Sequence, residues 1–195
     1  MKSKWVWTIL VGLVGVAVYG GTVLATPPSG VVTTNIAVGR FADIDVMSKT
    51  ALAATTKPVD GKGGTVDGKR GKGDDSNHRT NYWKARISTK GDSDLYVLQN
   101  TIAPGGTFGW HSHPGPSLVI VKSGTATFYM ADDPTCAPVV VQAGTGFVDN
   151  GSDIHVVRNE GTVDLVTVVV SLVPAGFARR IDQPAPANCP TLPNG

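Results

Sequence analysis

The sequence lacks an excess of charge of either sign once its apolar N-terminus is set aside. The chain of 195 residues contains 17 Lys and Arg and 15 Asp and Glu. Residues 1–25 hold two of the lysines and no acid, so the rest of the chain carries 15 basic and 15 acidic side chains. A surface balanced in this way provides no basic stripe for a phosphate backbone, and it excludes nucleic-acid binding.

Cysteine is scarce, since Cys136 and Cys189 are the only two in the chain. Neither has a histidine near it in the sequence, so nothing supports a thiol nucleophile. In an exported protein, two cysteines predict a single disulfide between a mid-chain loop and the C-terminal tail. Closing that loop would stabilise the fold by about 4 kcal/mol through chain entropy. Two unrelated thiols are the alternative.

The first 25 residues are typical of a secretory signal peptide. Lys2 and Lys4 precede a long apolar run, and Val23-Leu24-Ala25 is an acceptable cleavage site before Thr26. An uncleaved membrane anchor is the alternative, because about 20 apolar residues can just span a bilayer. No cysteine lies near the cleavage site, which argues against a lipoprotein anchor. We therefore predict a secreted or extracytoplasmic protein that has no membrane contact after cleavage.

Aliphatic and aromatic residues are almost absent between Thr56 and Thr80, where only Val59 and Val66 occur. Such a segment cannot bury enough surface to offset its ordering entropy, so residues 56–80 are predicted to be a flexible loop that includes a solvated His78. The spacing of its acids matches no EF-hand. The remaining boundaries follow from composition: N-terminal barrel strands at 26–55, the barrel core at 81–183 and a proline-rich tail at 184–195.

Patterns with the 3.6-residue period of an amphipathic helix are also few. Short β-rich runs separated by turn residues recur along the chain instead, and many short strands at this spacing predict an all-β single domain, either a sandwich or a closed barrel. The predicted strands are Val31–Val38, Phe41–Met47, Trp83–Thr89, Asp94–Ala103, Thr107–His111, Ser117–Lys122, Thr125–Ala131, Pro138–Gln142, Ile154–Asn159 and Val163–Leu172.

Three of the four histidines occur in a pattern that indicates a metal site. His111 and His113 are two residues apart, so in a strand they point to the same face. Gly105 lies six residues before His111 and Gly124 eleven after His113; further on, Gly144 precedes His155, and Asn159 follows it. This spacing resembles the two motifs of the cupin superfamily, G(X)5HXH(X)3,4E(X)6G and G(X)5PXG(X)2H(X)3N.

The resemblance covers roughly residues 95–175 and implies a jelly-roll barrel in an exported bacterial protein. It also implies that His111, His113 and His155 bind one divalent metal ion inside the barrel. Neutral imidazole suits Zn, Fe, Ni and Cu, while carboxylate suits harder ions such as Mn. The sequence does not distinguish Fe, Zn, Mn, Ni and Cu; zinc or iron is favoured. Some barrels of this kind have lost metal binding, and that alternative stays open.

The departures from the motifs alter the expected chemistry. Ser117 stands where the first motif has its glutamate, and Asn150 and Ser152 replace the proline and glycine of the second motif. The only glutamate in the chain, Glu160, has the opposite strand parity to His155 and should face away.

Two aspartates, Asp149 and Asp153, precede His155 as weaker candidates for a fourth ligand. Three histidines with water in the open positions are the preferred interpretation. Contacts to bound water or substrate are assigned to Ser117, Tyr129 and Asn159.

The resemblance implies two classes of function. One is an exported metalloenzyme of oxygenase type, or of lyase or hydrolase type, acting on a small molecule. The alternative is a non-catalytic extracellular module that binds a small molecule or sugar, or is purely structural. An apolar pocket is expected from Leu118, Ile120, Phe128, Phe147 and Val157. Catalytic residues are not identified, and a homodimer is compatible with the pattern.

Overall fold

The computed structural model describes residues 25–51 and 82–189, which form an all-β barrel. The predicted leader, apart from Ala25, and the predicted loop at 56–80 lie outside the described residues. The prediction of an all-β jelly-roll fold is confirmed. The strands are β1 (Ser29–Phe41), β2 (Asp45–Ala51), β3 (Tyr82–Ser88), β4 (Ser93–Thr107), β5 (His111–Ser112), β6 (Ser117–Ser123), β7 (Thr125–Met130), β8 (Val139–Gln142), β9 (Gly146–Asp149), β10 (His155–Arg158), β11 (Leu165–Pro174) and β12 (Ile181–Asp182).

The barrel consists of two antiparallel sheets that face each other. One has the order β1-β4-β11-β6-β9, and the other has the order β12-β5-β10-β7-β8. Arg158 on β10 and Thr107 at the end of β4 are register partners, and this pair joins the two sheets. The strands therefore nearly close on themselves, which leaves few free edges. No helix in the two described ranges could cross a membrane.

Strict alternation along β6 and β11 decides which side chains face the interior. In β11 the buried positions are every second residue from Leu165 to Val173. In β6 they are Ser117, Val119 and Val121, while Leu118 and Ile120 are 57% and 55% exposed. The expectation that Leu118 and Ile120 line a pocket was therefore wrong. Because Ser117 faces inward, the next residue of a pleated strand has to face outward.

The observed strands differ from the predicted ones at four places. Two short strands, β9 and β12, were not predicted. The predicted strand Thr107–His111 is broken, because Gly109 adopts a left-handed φ of 68° between β4 and β5. The second strand, β2, pairs with β3 in a separate, largely exposed two-stranded sheet rather than with the barrel.

The C-terminal residues up to Cys189 pack against the barrel. A disulfide joins Cys136 to Cys189, with a Cα–Cα distance of 5.6 Å. Cys189 is buried in a cluster with Trp110, Tyr129 and Val156. The peptide N–H of Trp110 also donates a hydrogen bond to Thr26 Oγ1, so the start of the described chain is held at the same place. The described part of the predicted tail thus belongs to the folded unit.

Candidate metal centre

Two strands bring three histidines together inside the barrel. His111 on β5 and His155 on β10 are register partners, so their side chains lie side by side on one face. His113 follows two residues after His111, and its peptide N–H donates to the carbonyl of Gly151 at 2.8 Å. All three side chains are buried, and one ligand atom from each lies within 4.8 Å of the others. The trio predicted from the motif spacing is therefore brought to one point.

Each imidazole is oriented by a backbone carbonyl that accepts from its Nδ1. His111 donates to the oxygen of Gly109 at 2.9 Å, and His155 donates to that of Asp153 at 2.9 Å. His113 donates to the oxygen of Arg179 at 2.6 Å. A carbonyl can only accept, so the proton of each neutral ring sits on Nδ1. The lone pair of each Nε2 is then available as a metal ligand, which is the usual arrangement of a metal-binding histidine.

Burial favours the neutral form of the His111 and His113 rings. It lowers the pKa of His111 to about 2, with a smaller contribution in the same direction from nearby His155 and Arg180. Burial also lowers the pKa of His113, against opposing contributions from its hydrogen bond and from Asp149. Neutral imidazole is the form that binds a divalent cation. His111 and His113 are therefore in the form that fits such an ion.

A carboxylate lies beside the three rings. Asp149 at the end of β9 is buried, and its Oδ2 is 3.2 Å from His113 Nε2 and 3.8 Å from His155 Nε2. The other oxygen, Oδ1, accepts from the peptide N–H of Gly151 at 2.9 Å. From the sequence alone, strand parity favoured Asp153, although it lies in a loop, and nothing selected Asp149. The structure brings the Asp149 carboxylate to the histidines.

The histidines open onto a cavity of about 170 Å³, which is close to the size of a cavity that holds benzene. One wall is polar: Thr33 donates to Asn100, Asn100 donates to Thr167, and Ser117 shares a 2.7 Å hydrogen bond with Ser171. Apolar side chains form the rest of the wall. They are Val31, Phe108, Val119, Phe147, Val157 and Val169.

Two arginines that no sequence motif had selected also line the cavity. Arg179 and Arg180 lie in the segment between β11 and β12. Burial lowers the pKa of Arg179, helped by the charge of Arg180. The Nε of Arg180 pairs with Asp182 at 2.5 Å, whereas its two terminal nitrogens are buried and have no hydrogen-bond partner among the described residues. Unpaired guanidinium nitrogens in a cavity indicate where an anionic group would bind.

The other residues predicted for the site have different positions. Ser117 lines the cavity. Tyr129 packs outside it, next to Trp110, and its hydroxyl donates to Glu160 at 2.8 Å. Asn159 is buried but structural, because its amide donates to the carbonyls of Ile102 and Val163. Neither Tyr129 nor Asn159 is therefore placed to contact a ligand in the cavity.

Two further acids are also engaged elsewhere. Asp153 accepts from the side chain of Asn150, and Glu160 interacts with Tyr129 and Arg158. The predicted outward orientation of Glu160 agrees with these contacts.

A tight turn at Gly151 positions Asp149 and His113 through hydrogen bonds. Gly151 has a φ of 106°, and a Cβ atom there would lie 2.9–3.1 Å from the backbone of Gly115. Its N–H donates to the Asp149 carboxylate and its carbonyl accepts from the peptide N–H of His113, so one residue positions two groups of the site. The second motif expects glycine one position later, at Ser152. In this chain the adjacent glycine takes the strained conformation.

Replacing Gly151 by alanine is expected to weaken the site as well as the fold. The left-handed conformation and the close approach should cost on the order of 2 kcal/mol of unfolding free energy. Displacement of Asp149 and His113 should reduce divalent-metal affinity by about 10-fold. Calorimetric titration and chemical denaturation measure the two effects. Gly144→Ala is the matched control: Gly144 has a φ of 84° but no atom within 4 Å of its Cβ position. Equal metal affinities in both variants would contradict the prediction.

Acid should destabilise the metal-free fold. His111 stays neutral in the folded state down to about pH 2, whereas in the unfolded chain it takes up a proton below its ordinary pKa of about 6.5. Stability is therefore lost as the pH falls from 6.5 toward 2, and His111 should account for about 2 kcal/mol by pH 5. Denaturation of the metal-free protein at pH 7 and pH 5 measures the loss. His111→Gln should reduce it, and His78→Ala should leave it unchanged; the same loss in all three proteins would disprove the assignment.

Residues 99–171 match the sequence profile described as the cupin domain. Similar solved structures include a cupin superfamily protein from Desulfitobacterium hafniense DCB-2, at 15% identity and a TM-score of 0.36 over 40% of this chain and 67% of that one. A cupin-like protein from Thermotoga maritima has 20% identity and a TM-score of 0.41 over 47% and 65%.

An oxalate oxidase has 25% identity and a TM-score of 0.36 over 42% of this chain and 46% of its own. The chain thus spans about half to two thirds of the length of these structures. No curated protein has a sequence that matches this chain.

Proposed function

Because residues 99–171 match the cupin domain, we propose that the protein binds one divalent metal ion through His111, His113 and His155, and that a small anionic molecule binds beside this ion. The observation that carries the proposal is that three buried imidazoles, each fixed by a carbonyl at Nδ1, direct their Nε2 atoms to one point. A bound divalent ion would supply Lewis acidity to a ligand oxygen. Zinc and iron are the favoured ions.

The charge of the proposed ligand follows from Arg180. Within the part of the chain that the structure describes, its terminal nitrogens are buried without a partner, next to the cavity that contains the histidines. A carboxylate in that position would satisfy them with charge-assisted hydrogen bonds. The cavity volume of about 170 Å³ limits the ligand to a compact molecule. The polar wall near Asn100 and Thr167 provides further hydrogen-bonding groups.

Metal binding is tested on the full chain. Titration with Zn²⁺, Mn²⁺ and Co²⁺ is expected to give one ion per chain, and elemental analysis of the purified protein should give the same stoichiometry. A folded protein that binds none of these ions at micromolar concentration would overturn the proposal. For the ligand, we expect two- to four-carbon carboxylates to alter the visible spectrum of the Co²⁺-loaded protein. Arg180→Gln should weaken that effect at least about 10-fold. Neutral amides of the same size are the control.

The reaction type has two candidates. An ion held by three histidines keeps positions open for substrate and co-substrate, which supports an oxygenase or a lyase or hydrolase. The alternative is a non-catalytic binding module. One observation favours it: among the described residues that line the cavity, Asp149 is the only carboxylate, and it faces the histidines. No carboxylate of this lining is therefore directed at the open space, where a general base would contact a substrate. Oxygen uptake and product analysis on metal-loaded protein with the carboxylate panel distinguish them, because a binding module leaves the carboxylate unchanged.

The compartment proposed for this chemistry is extracytoplasmic. The disulfide between Cys136 and Cys189 supports that assignment, because disulfides persist in oxidising environments. A free-thiol assay on denatured exported protein should find no reactive cysteine. Two reactive thiols would contradict the proposed compartment.

A further inference from the structure

The first motif of this chain has a serine where a carboxylate is expected, and the structure contains a carboxylate one strand away. We propose that Asp149 is the fourth protein ligand, so that the ion is held by three imidazoles and the Asp149 carboxylate. This inference rests on the proposed function, since it needs the histidines to hold a metal. It changes the expected first coordination shell from neutral to singly negative.

The sheet register puts Asp149 at the vacant position. Ser117 on β6 and Asp149 on β9 are direct register partners. Side chains directly opposite in an antiparallel pair project from the same face, with Cβ atoms about 5 Å apart. Both side chains are buried, and both line the cavity that contains the histidines. A carboxylate on β9 can therefore occupy the space that a longer side chain on β6 would otherwise reach.

The distances agree with two ligands of one ion. Asp149 Oδ2 lies 3.2 Å from His113 Nε2 and 3.8 Å from His155 Nε2. Atoms bound about 2.1 Å from the same ion are separated by roughly 3.0–3.4 Å at octahedral or tetrahedral angles. The observed separations are near this range. A small movement of Asp149 or His155 would bring both within it.

The hydrogen-bonding character of the facing histidine and Asp149 atoms also favours a cation between them. His113 and His155 place their ring protons on Nδ1, where they donate to carbonyls, so their Nε2 atoms are acceptors. The Asp149 carboxylate is an acceptor as well. Buried acceptors that face one another at this distance repel unless a positive centre joins them. A divalent ion provides that centre for all of them at once.

The Asp149 carboxylate is held in place for this role. Its Oδ1 accepts from the Gly151 N–H at 2.9 Å, which leaves Oδ2 directed at the histidines. Ligating carboxylates are commonly oriented by such a hydrogen bond to the second oxygen. The nearby Asp153 carboxylate instead accepts from Asn150. These contacts distinguish Asp149 from Asp153, although both precede His155.

The experiment compares metal affinities by isothermal titration of the full chain with Mn²⁺ and with Zn²⁺. Asp149→Asn keeps the size of the side chain and an oxygen for Gly151, and it removes the charge. We expect this variant to bind Mn²⁺ at least about 10-fold more weakly, and to lose more affinity for Mn²⁺ than for Zn²⁺, since carboxylate suits the harder ion. Asp153→Asn is the matched control and should bind both ions like the wild type.

A relocation variant provides an independent test. Asp149→Ser combined with Ser117→Glu moves the carboxylate from β9 back to β6, and it should recover Mn²⁺ affinity relative to Asp149→Ser alone. Wild-type protein that binds no ion would refute the proposed function itself. Wild-type protein that binds one ion, with Asp149→Asn equal to it for both metals, would overturn the role of Asp149 and leave the three-histidine site intact.

Discussion

The His155→Ala variant is expected to lose stoichiometric metal binding, with affinity for Zn²⁺ reduced by more than about 100-fold. Groups that only orient metal ligands contribute 10–100-fold, so a ligand itself should contribute more. His155 is the best single position for this test, because it is the register partner of His111 and also lies within 3.8 Å of the Asp149 carboxylate. Removing it takes away one of the three imidazole ligands of the proposed site.

Thermal unfolding gives a second measure of the same loss. An ion present at 100 times its dissociation constant stabilises the folded chain by about 2.7 kcal/mol. For a chain of this size that corresponds to a rise in Tm of roughly 5–11 °C. The wild type should show this rise with Zn²⁺, and His155→Ala should not.

Two controls separate metal loss from misfolding. His155→Gln retains most of the side-chain volume but not the imidazole, so it should fold and still fail to bind. His78→Ala removes the one histidine that belongs to neither motif, and it should bind one ion like the wild type. Zinc binding by both His155 variants at wild-type affinity would disprove the role of His155.

Removing the disulfide should have the largest effect on stability. Cys136 and Cys189 are 53 residues apart in sequence, and opening a loop of that length stabilises the unfolded chain by about 4 kcal/mol. The expected fall in Tm is roughly 8–16 °C. The variant that carries both Cys136→Ser and Cys189→Ser avoids a lone thiol, and guanidinium denaturation measures the change. Because Cys189 is also buried beside Trp110, serine there adds a smaller packing loss.

The metal site supplies the internal control for this variant. The proposed metal ligands lie on β5, directly after β5 (His113), on β9 and on β10, and none of these segments contains a cysteine. Zn²⁺ stoichiometry should therefore be unchanged at temperatures well below unfolding. A stability loss below 1 kcal/mol would contradict the prediction, since even the packing loss at Cys189 would then be missing.

The histidine trio could be predicted from the sequence because one pair is related by local geometry and the third histidine by its resemblance to a known motif. His111 and His113 share a face through strand parity alone, and the motif spacing connected them to His155. The position of Asp149 could not be obtained in this way. It depends on how β6 and β9 align, and a shift of one residue would turn the carboxylate to the outside.

The alternation of side chains along a strand also explains why Leu118 and Ile120 were wrongly expected to line the pocket. They belong to an unbroken apolar run that continues through Val119 and Val121, and a run of this kind does not show by its composition which residues face the interior. The inward position of Ser117 settles the question, because alternation from that residue exposes Leu118 and Ile120.

Arg180 was missed for a different reason. The segment that carries it follows the last long strand, and its approach to the histidines depends on the pairing of β12 with β5. A pair of arginines after a strand is by itself typical of a solvated surface. The unpaired buried nitrogens that identify its role become visible only in the folded structure.

The segment between β11 and β12 supports the site in two separable ways. Arg179 orients His113 through a backbone carbonyl, which every amino acid has, whereas Arg180 faces the cavity with its side chain. Residue 179 could therefore change during evolution without disturbing the orientation of His113. A change at residue 180 would alter which molecules are retained. Both positions lie beyond residue 171, where the match to the cupin domain ends. Ligand preference in this protein could thus diverge among its descendants while the metal centre is inherited unchanged.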